Sequence, residues 1–209
     1  MTLPKQIYII RHGEKPDDRS IPDLSIQGLA RAHYLINYWK NQNLPNPDII
    51  YCFRNGHGLR NRSNQVMTPL SIIHNIKINS EFKDDKEEKE MVDHVMKNNA
   101  NQIVLICWEH NNIPLVVKFI YDILAEQDID KNIMKNNLKY WSLDPENGVT
   151  VKSKSKSKSP ENDHDLYSLT LSIDVESKQL TGLSQSNNFL NNVHLTDEPV
   201  KTLFVLDGK

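Results

Sequence analysis

Two cysteines in 209 residues cannot make a disulfide framework, and neither belongs to a CxxC or to a Cys/His pair with zinc spacing. Cys52 and Cys107 each fall in an apolar stretch, so buried free thiols in a reducing compartment are the expectation. An excess of one charge sign is also missing: 25 Lys and Arg face 27 Asp and Glu, for a net charge of −2 and a pI of about 6.4. Such a chain has no general field with which to hold nucleic acid or an anionic membrane, so an anion needs a local cluster of cations. No apolar run approaches membrane-spanning length, and MTLPKQIYII does not have the charged, apolar, small layout of a signal peptide. The expectation is a cytoplasmic protein with no nucleic-acid or membrane partner. HExxH, a P-loop and a facial His/carboxylate spacing are absent too, so no motif asks for a metal or another cofactor.

What is present is enough apolar sequence, 38%, for one sizeable α/β core and too short a chain for two full domains. Short apolar runs alternate with amphipathic stretches. Strands are predicted at Gln6–Ile10, Asp48–Phe53 and Gln102–Trp108, with a short edge strand at Ile76–Asn79. Helices are predicted at Leu24–Trp39, with Ser25 as N-cap, and at Ser63–Asn75, where Pro69 argues for a late or kinked start. Two more are predicted at Asp84–Lys97 and Ile113–Ala125, the latter with Pro114 in its first turn. Tyr167–Val175 and Gln179–Gly182 read as a hairpin closed around Glu176–Lys178. The run KSKSKSKSP, within a low-complexity stretch at about 144–162, has nothing apolar to bury and reads as an exposed loop. The alternation implies a single three-layer α/β/α domain over 1–209, with a mostly parallel central sheet.

In such sheets ligands gather beyond the carboxyl ends of the strands. The first strand ends on Arg11, His12 and Gly13; the second leads into a loop with Arg54, His57, Arg60 and Arg62; the third ends on Glu109 and His110. If the sheet is as described, three separate cationic or imidazole-bearing ends converge. That set suits phosphoryl transfer, which needs charge neutralisation at the non-bridging oxygens and a nucleophile in line with the leaving oxygen. A neutral imidazole serves as nucleophile when one ring nitrogen is fixed and the other faces phosphorus. Guanidinium groups hold phosphate through paired donors, and helix N-termini add N–H groups.

These residues carry a family resemblance. RHGE at the end of an N-terminal strand resembles the histidine phosphatase superfamily, which includes phosphoglycerate mutase-like enzymes. LSIQGLARA at 24–32 looks like that family's LS..G..QA helix start, RNRSNQVMTPLS at 60–71 resembles its R..QT..PL segment, and VLICWEHNNIP at 104–114 looks like the strand with the second histidine. The resemblance covers roughly 5–125 and the hairpin, and implies a phosphoglycerate mutase-like fold. It also implies a metal-independent phosphomonoesterase working through a phosphohistidine at His12, with Arg11, Arg62 and His110 holding the phosphoryl oxygens and the Gly13 carbonyl fixing the imidazole. Arg60 and Arg54 stay open as the second arginine. For the proton donor Glu109 comes first, although strict alternation would send it and His110 to opposite faces; Glu14, Glu81, Asp84 and Asp85 are the others. The substrate would be a phosphorylated small molecule or phosphoprotein. A mutase ranks lower, because GEKP does not match the mutase-like RHGES. The competing expectation is an inactive phosphate-binding or scaffold protein of the same fold.

Overall fold

A computed structural model describes residues 2–18, 20–54, 61–83, 86–124 and 169–184. Along the chain run β1 (Gln6–Arg11), α1 (Ile26–Asn41), β2 (Ile49–Cys52), α2 (Arg62–His74), β3 (Lys77–Asn79) and α3 (Glu88–Asn98). Then come β4 (Ile103–Trp108), α4 (Ile113–Leu124), β5 (Leu169–Asp174) and β6 (Gln179–Ser184). They form one sheet in the order β3-β2-β4-β1-β5-β6. The first four strands are parallel, and the β5–β6 hairpin adds two antiparallel strands beside β1.

Strand alternation sorts the core into two layers. Ile7, Ile9, Val104 and Ile106 pack with Met91, Val92, Val95 and Met96 of α3 and with Val116, Val117 and Ile120 of α4. Tyr8, Ile10, Leu105 and Cys107 face the other way, onto Ala32, Leu35 and Trp39 of α1 and Val66, Met67 and Leu70 of α2. The expected three-layer α/β/α arrangement is therefore present. Trp39 and Trp108 are core residues, and Cys52 and Cys107, partners in the β2–β4 register, are buried free thiols. Among the described residues no helix is long and apolar enough to cross a membrane.

Some boundaries differ from the sequence expectation. α2 begins at Arg62, not after a delay, and carries Pro69 inside it. Its first turn is anchored by bonds outside the helix: Arg62 donates to the carbonyls of Ile21 and Asp23, and Gln65 accepts from the Leu24 N–H. Those tertiary bonds outweigh the local preference against starting a helix ahead of a proline. α3 begins at Glu88 rather than at Asp84. The low-complexity stretch, Trp141, His57, Arg60, Asp84 and Asp85 lie outside the described residues.

Two glycines fix how β1 leaves the sheet. Ser25 caps α1, its Oγ accepting from the Gly28 N–H at 3.1 Å, and its own N–H donates to the Glu14 carbonyl at 3.0 Å. That presses Gly28 against Glu14: a Cβ on Gly28 would stand 2.7 Å from the Glu14 oxygen and 2.9 Å from its nitrogen. Gly13 is less tight but still close, with a built Cβ 3.1 Å from the Gly28 Cα. Gly28→Ala is expected to destabilise the protein by roughly 1–3 kcal/mol, because rigid backbone must move. A lowered thermal midpoint checks this; an unchanged one contradicts the close packing.

Candidate active site

β1 and β4 are adjacent and parallel, yet the chain leaves β1 toward α1 on one face and leaves β4 toward α4 on the other. Ligands of such sheets gather where the connections diverge in this way. Arg11 and His12 lie at the end of β1, and Glu109 and His110 directly after β4.

His12 is almost fully buried. The Nδ1–H donates to the Gly13 carbonyl at 2.7 Å, the tautomer this bond requires, so Nε2 keeps the ring's lone pair. Nε2 looks toward Glu109, 3.9 Å from Oε1. Burial lowers the His12 pKa from 6.5 to about 4; the nearby Glu109 carboxylate opposes that, and the Arg11 and Lys15 charges add to it. The imidazole is therefore neutral at physiological pH.

The alternation argument against pairing Glu109 with His110 fails for a local reason. β4 ends at Trp108, and Glu109 opens a turn in which its carbonyl accepts from both Asn112 and Ile113 N–H groups. The turn brings His110 Nδ1 to 2.6 Å from Glu109 Oε1, while Oε2 accepts from the Asn111 N–H at 2.6 Å. The His12 and His110 rings lie edge to face, 6.4 Å apart. Burial alone would raise the Glu109 pKa, but His110 and His12 beside its carboxylate, together with the Asn111 N–H bond, hold it well below the usual carboxylate range. Glu88 supports the turn from α3: its carboxylate accepts from Asn112 Nδ2 at 2.7 Å, and burial raises its pKa against that bond.

Lys15 also reaches this group, its Nζ 3.6 Å from Glu109 Oε1, and sequence reasoning missed it. No pattern in GEKP marks it out. His12, Glu109 and His110 each bring one ligand atom to within 4.8 Å of the others, a spacing that also suits a cation.

The remaining candidates separate clearly. Arg11 is buried beside His12, and its charge bears on the imidazole. Arg62 is buried at the start of α2, with Nε on the Asp23 carbonyl at 3.0 Å and Nη2 on that of Ile21 at 2.5 Å, which fixes the guanidinium plane. Arg54 is exposed, its backbone bridged to Lys83. Glu14 is buried and paired with Arg31, whose Nε lies 3.0 Å from both carboxylate oxygens. That pairing occupies Glu14 and argues against it as the acid. Glu81 is exposed. Arg31 was missed as well, although it lies on the stripe with Gly28, Ala32 and Leu35, where an arginine needs a carboxylate partner.

No family model matches the sequence, and no curated protein matches it. Solved structures do. SixA of Agrobacterium tumefaciens, a candidate phosphohistidine phosphatase, is similar over 83% of this chain and 93% of its own, at 14% identity and a TM-score of 0.50. A SixA of the same description from Nakamurella multipartitia covers 87% of this chain and 95% of its own, at 16% identity and a TM-score of 0.45. A mycobacterial glucosyl-3-phosphoglycerate phosphatase covers 87% and 98%, at 10% identity and a TM-score of 0.43. The first of these likenesses shows the fold: the chain has a phosphoglycerate mutase-like α/β fold, similar to that SixA structure.

Proposed function

Proceeding from a histidine phosphatase fold with a buried imidazole at its switch point, we propose that the protein is a phosphomonoester hydrolase acting through a phosphohistidine on His12. The observation that carries this reading is the neutral His12 ring, held through Nδ1 by the Gly13 carbonyl, with Nε2 directed at Glu109. Arg11, Arg62 and His110 hold the non-bridging oxygens of the phosphoryl group, and Lys15 adds a further positive charge beside them. The substrate is a phosphorylated small molecule or phosphoprotein, and the route uses only the chain's own groups, without a metal.

Glu109 is the proton donor in this reading. In the enzyme without substrate its carboxyl is held ionised by its neighbours. A phosphoryl dianion brought against it reverses that balance, since two adjacent anions cannot both stay charged cheaply. Glu109 therefore takes up a proton with the substrate. His12 Nε2 attacks phosphorus, the P–O bond to the leaving group breaks, and the leaving oxygen takes the Glu109 proton. Water then attacks the phosphohistidine, its proton passes to the Glu109 carboxylate, the P–N bond breaks, and phosphate leaves.

The test is trapping. Incubation with a radiolabelled phosphoryl donor and an alkaline quench is expected to leave label on the protein, stable in base and lost in acid. Phosphate binding with neither label nor turnover would favour the inactive scaffold instead. A pH profile checks the state of the nucleophile. With chelator present and substrate ionisation divided out, the acid limb of kcat/KM is expected near pH 4, where His12 takes up its proton, rather than near the ordinary 6.5. A limb at the ordinary value would contradict the burial argument. The sign for stability follows: between about 6.5 and about 4 the unfolded chain binds a proton that folded His12 refuses, so stability falls as pH drops through that window.

A further inference from the structure

The nucleophilic nitrogen shares its surroundings with two donors whose spacing suits a small cation. His12, Glu109 and His110 each bring one ligand atom to within 4.8 Å of the others, and His12 Nε2 and His110 Nδ1 stand 3.9 Å and 2.6 Å from Glu109 Oε1. A tetrahedral ion bound at about 2.0–2.2 Å keeps such donors roughly 3.3 Å apart. One observed separation is wider than that and one narrower, so side-chain adjustments of under an ångström at each set both imidazole nitrogens at coordination spacing from Glu109 Oε1. We propose that this trio binds a divalent cation of the zinc class, and that the cation is a reversible inhibitor because it occupies the lone pair of His12. The inhibitory half rests on the reading of His12 as nucleophile; the binding half does not.

Three features beyond spacing favour the site. The His12 Nδ1–H is held by a backbone carbonyl, the outer contact that orients an imidazole for metal through its other nitrogen. The Asn111 N–H holds Glu109 Oε2, which leaves Oε1 turned to both rings. Glu88, through Asn112, braces the turn that carries two of the three ligands.

The surrounding charge decides which cation fits. Arg11 bears on His12, and Lys15 stands 3.6 Å from the same Oε1 that the ion would take. A hard ion such as Mg2+, which depends on several oxygens and on charge attraction, gains little there. Zn2+ and Co2+ bind imidazole directly and tolerate the cations, while the Lys15 chain is long enough to swing its ammonium away. Metal on Nε2 and phosphorus on Nε2 are mutually exclusive, so a loaded protein cannot form the phosphohistidine.

The experiment is a Co2+ titration of the full chain after chelation. The expected result is the intense visible absorption of four-coordinate Co2+, quenched by Zn2+ and not by Mg2+. Glu109→Gln and His110→Ala are each expected to weaken binding by more than the roughly 10- to 100-fold that loss of an outer partner costs. Exposed His33→Ala leaves binding unchanged. On the wild-type chain, where folding is not in question, Zn2+ is expected to protect His110, the more exposed of the two imidazoles, from diethyl pyrocarbonate, read by mass spectrometry. Absence of the absorption, its persistence in both variants, or no protection overturns the site. Zn2+ is further expected to suppress aryl phosphate hydrolysis and chelator to restore it; activation by Zn2+ overturns the inhibitory assignment. A chelated wild type with no hydrolysis overturns the hydrolase reading alone, and the Co2+ absorption still decides the cation site.

Discussion

His12→Ala is expected to lower aryl phosphate hydrolysis by roughly 10^4- to 10^6-fold and to abolish the base-stable label. Loss of a covalent nucleophile removes the route, whereas loss of a binding group weakens it. Inorganic phosphate is expected to bind the variant still, because Arg11, Arg62 and His110 are untouched; retained binding with lost turnover separates a chemical defect from a folding one. The variant also discriminates among roles within the site. Were Glu109 a base activating water for direct attack on phosphorus, hydrolysis would survive in His12→Ala. Turnover that persists in this variant sinks the phosphohistidine reading.

The machinery legible in the sequence was that borne by regular strands. IYIIR and VLICW are apolar on both faces because each is covered by helices on both sides, and that continuity located the two strand ends carrying His12 and Glu109. Ser25 was legible as a cap because its hydroxyl has a fixed task at a helix start. The Glu109–His110 pair was only half legible. Period-2 reasoning holds inside a strand and fails at its last residue, where the turn closing on the Glu109 carbonyl sets the directions instead. Lys15 and Arg31 were illegible or overlooked for different reasons. Lys15 reaches the site from an irregular segment with no period, whereas Arg31 sat in plain view on a buried helical stripe. Its partner Glu14 is 17 residues away, and only the close approach of Gly13 to Gly28 brings the two together.

That pair carries the second large effect. Glu14→Leu is expected to cost about 3–5 kcal/mol, because it removes the carboxylate bonded to the Arg31 guanidinium in a site where Arg31 is 2% exposed. For a chain of this length the thermal midpoint falls on the order of 10 °C. Arg31→Met alone does similar damage by stranding the carboxylate. The double variant Glu14→Leu/Arg31→Met is expected to recover most of the loss, since two apolar side chains of similar volume leave no buried charge and the Ser25 N–H still holds the Glu14 carbonyl. The cycle also settles what Glu14 does for catalysis. If it only holds the turn behind His12, kcat in the double variant, measured well below its transition, stays within a few-fold of wild type. If Glu14 were the proton donor, kcat would stay down by roughly 10^2- to 10^4-fold in the double variant whatever the stability regained. A stable but inactive double variant would therefore move the acid role to Glu14 and displace Glu109. The geometry argues the other way, because a carboxylate gripped through both oxygens by one guanidinium has no oxygen to turn toward a leaving group.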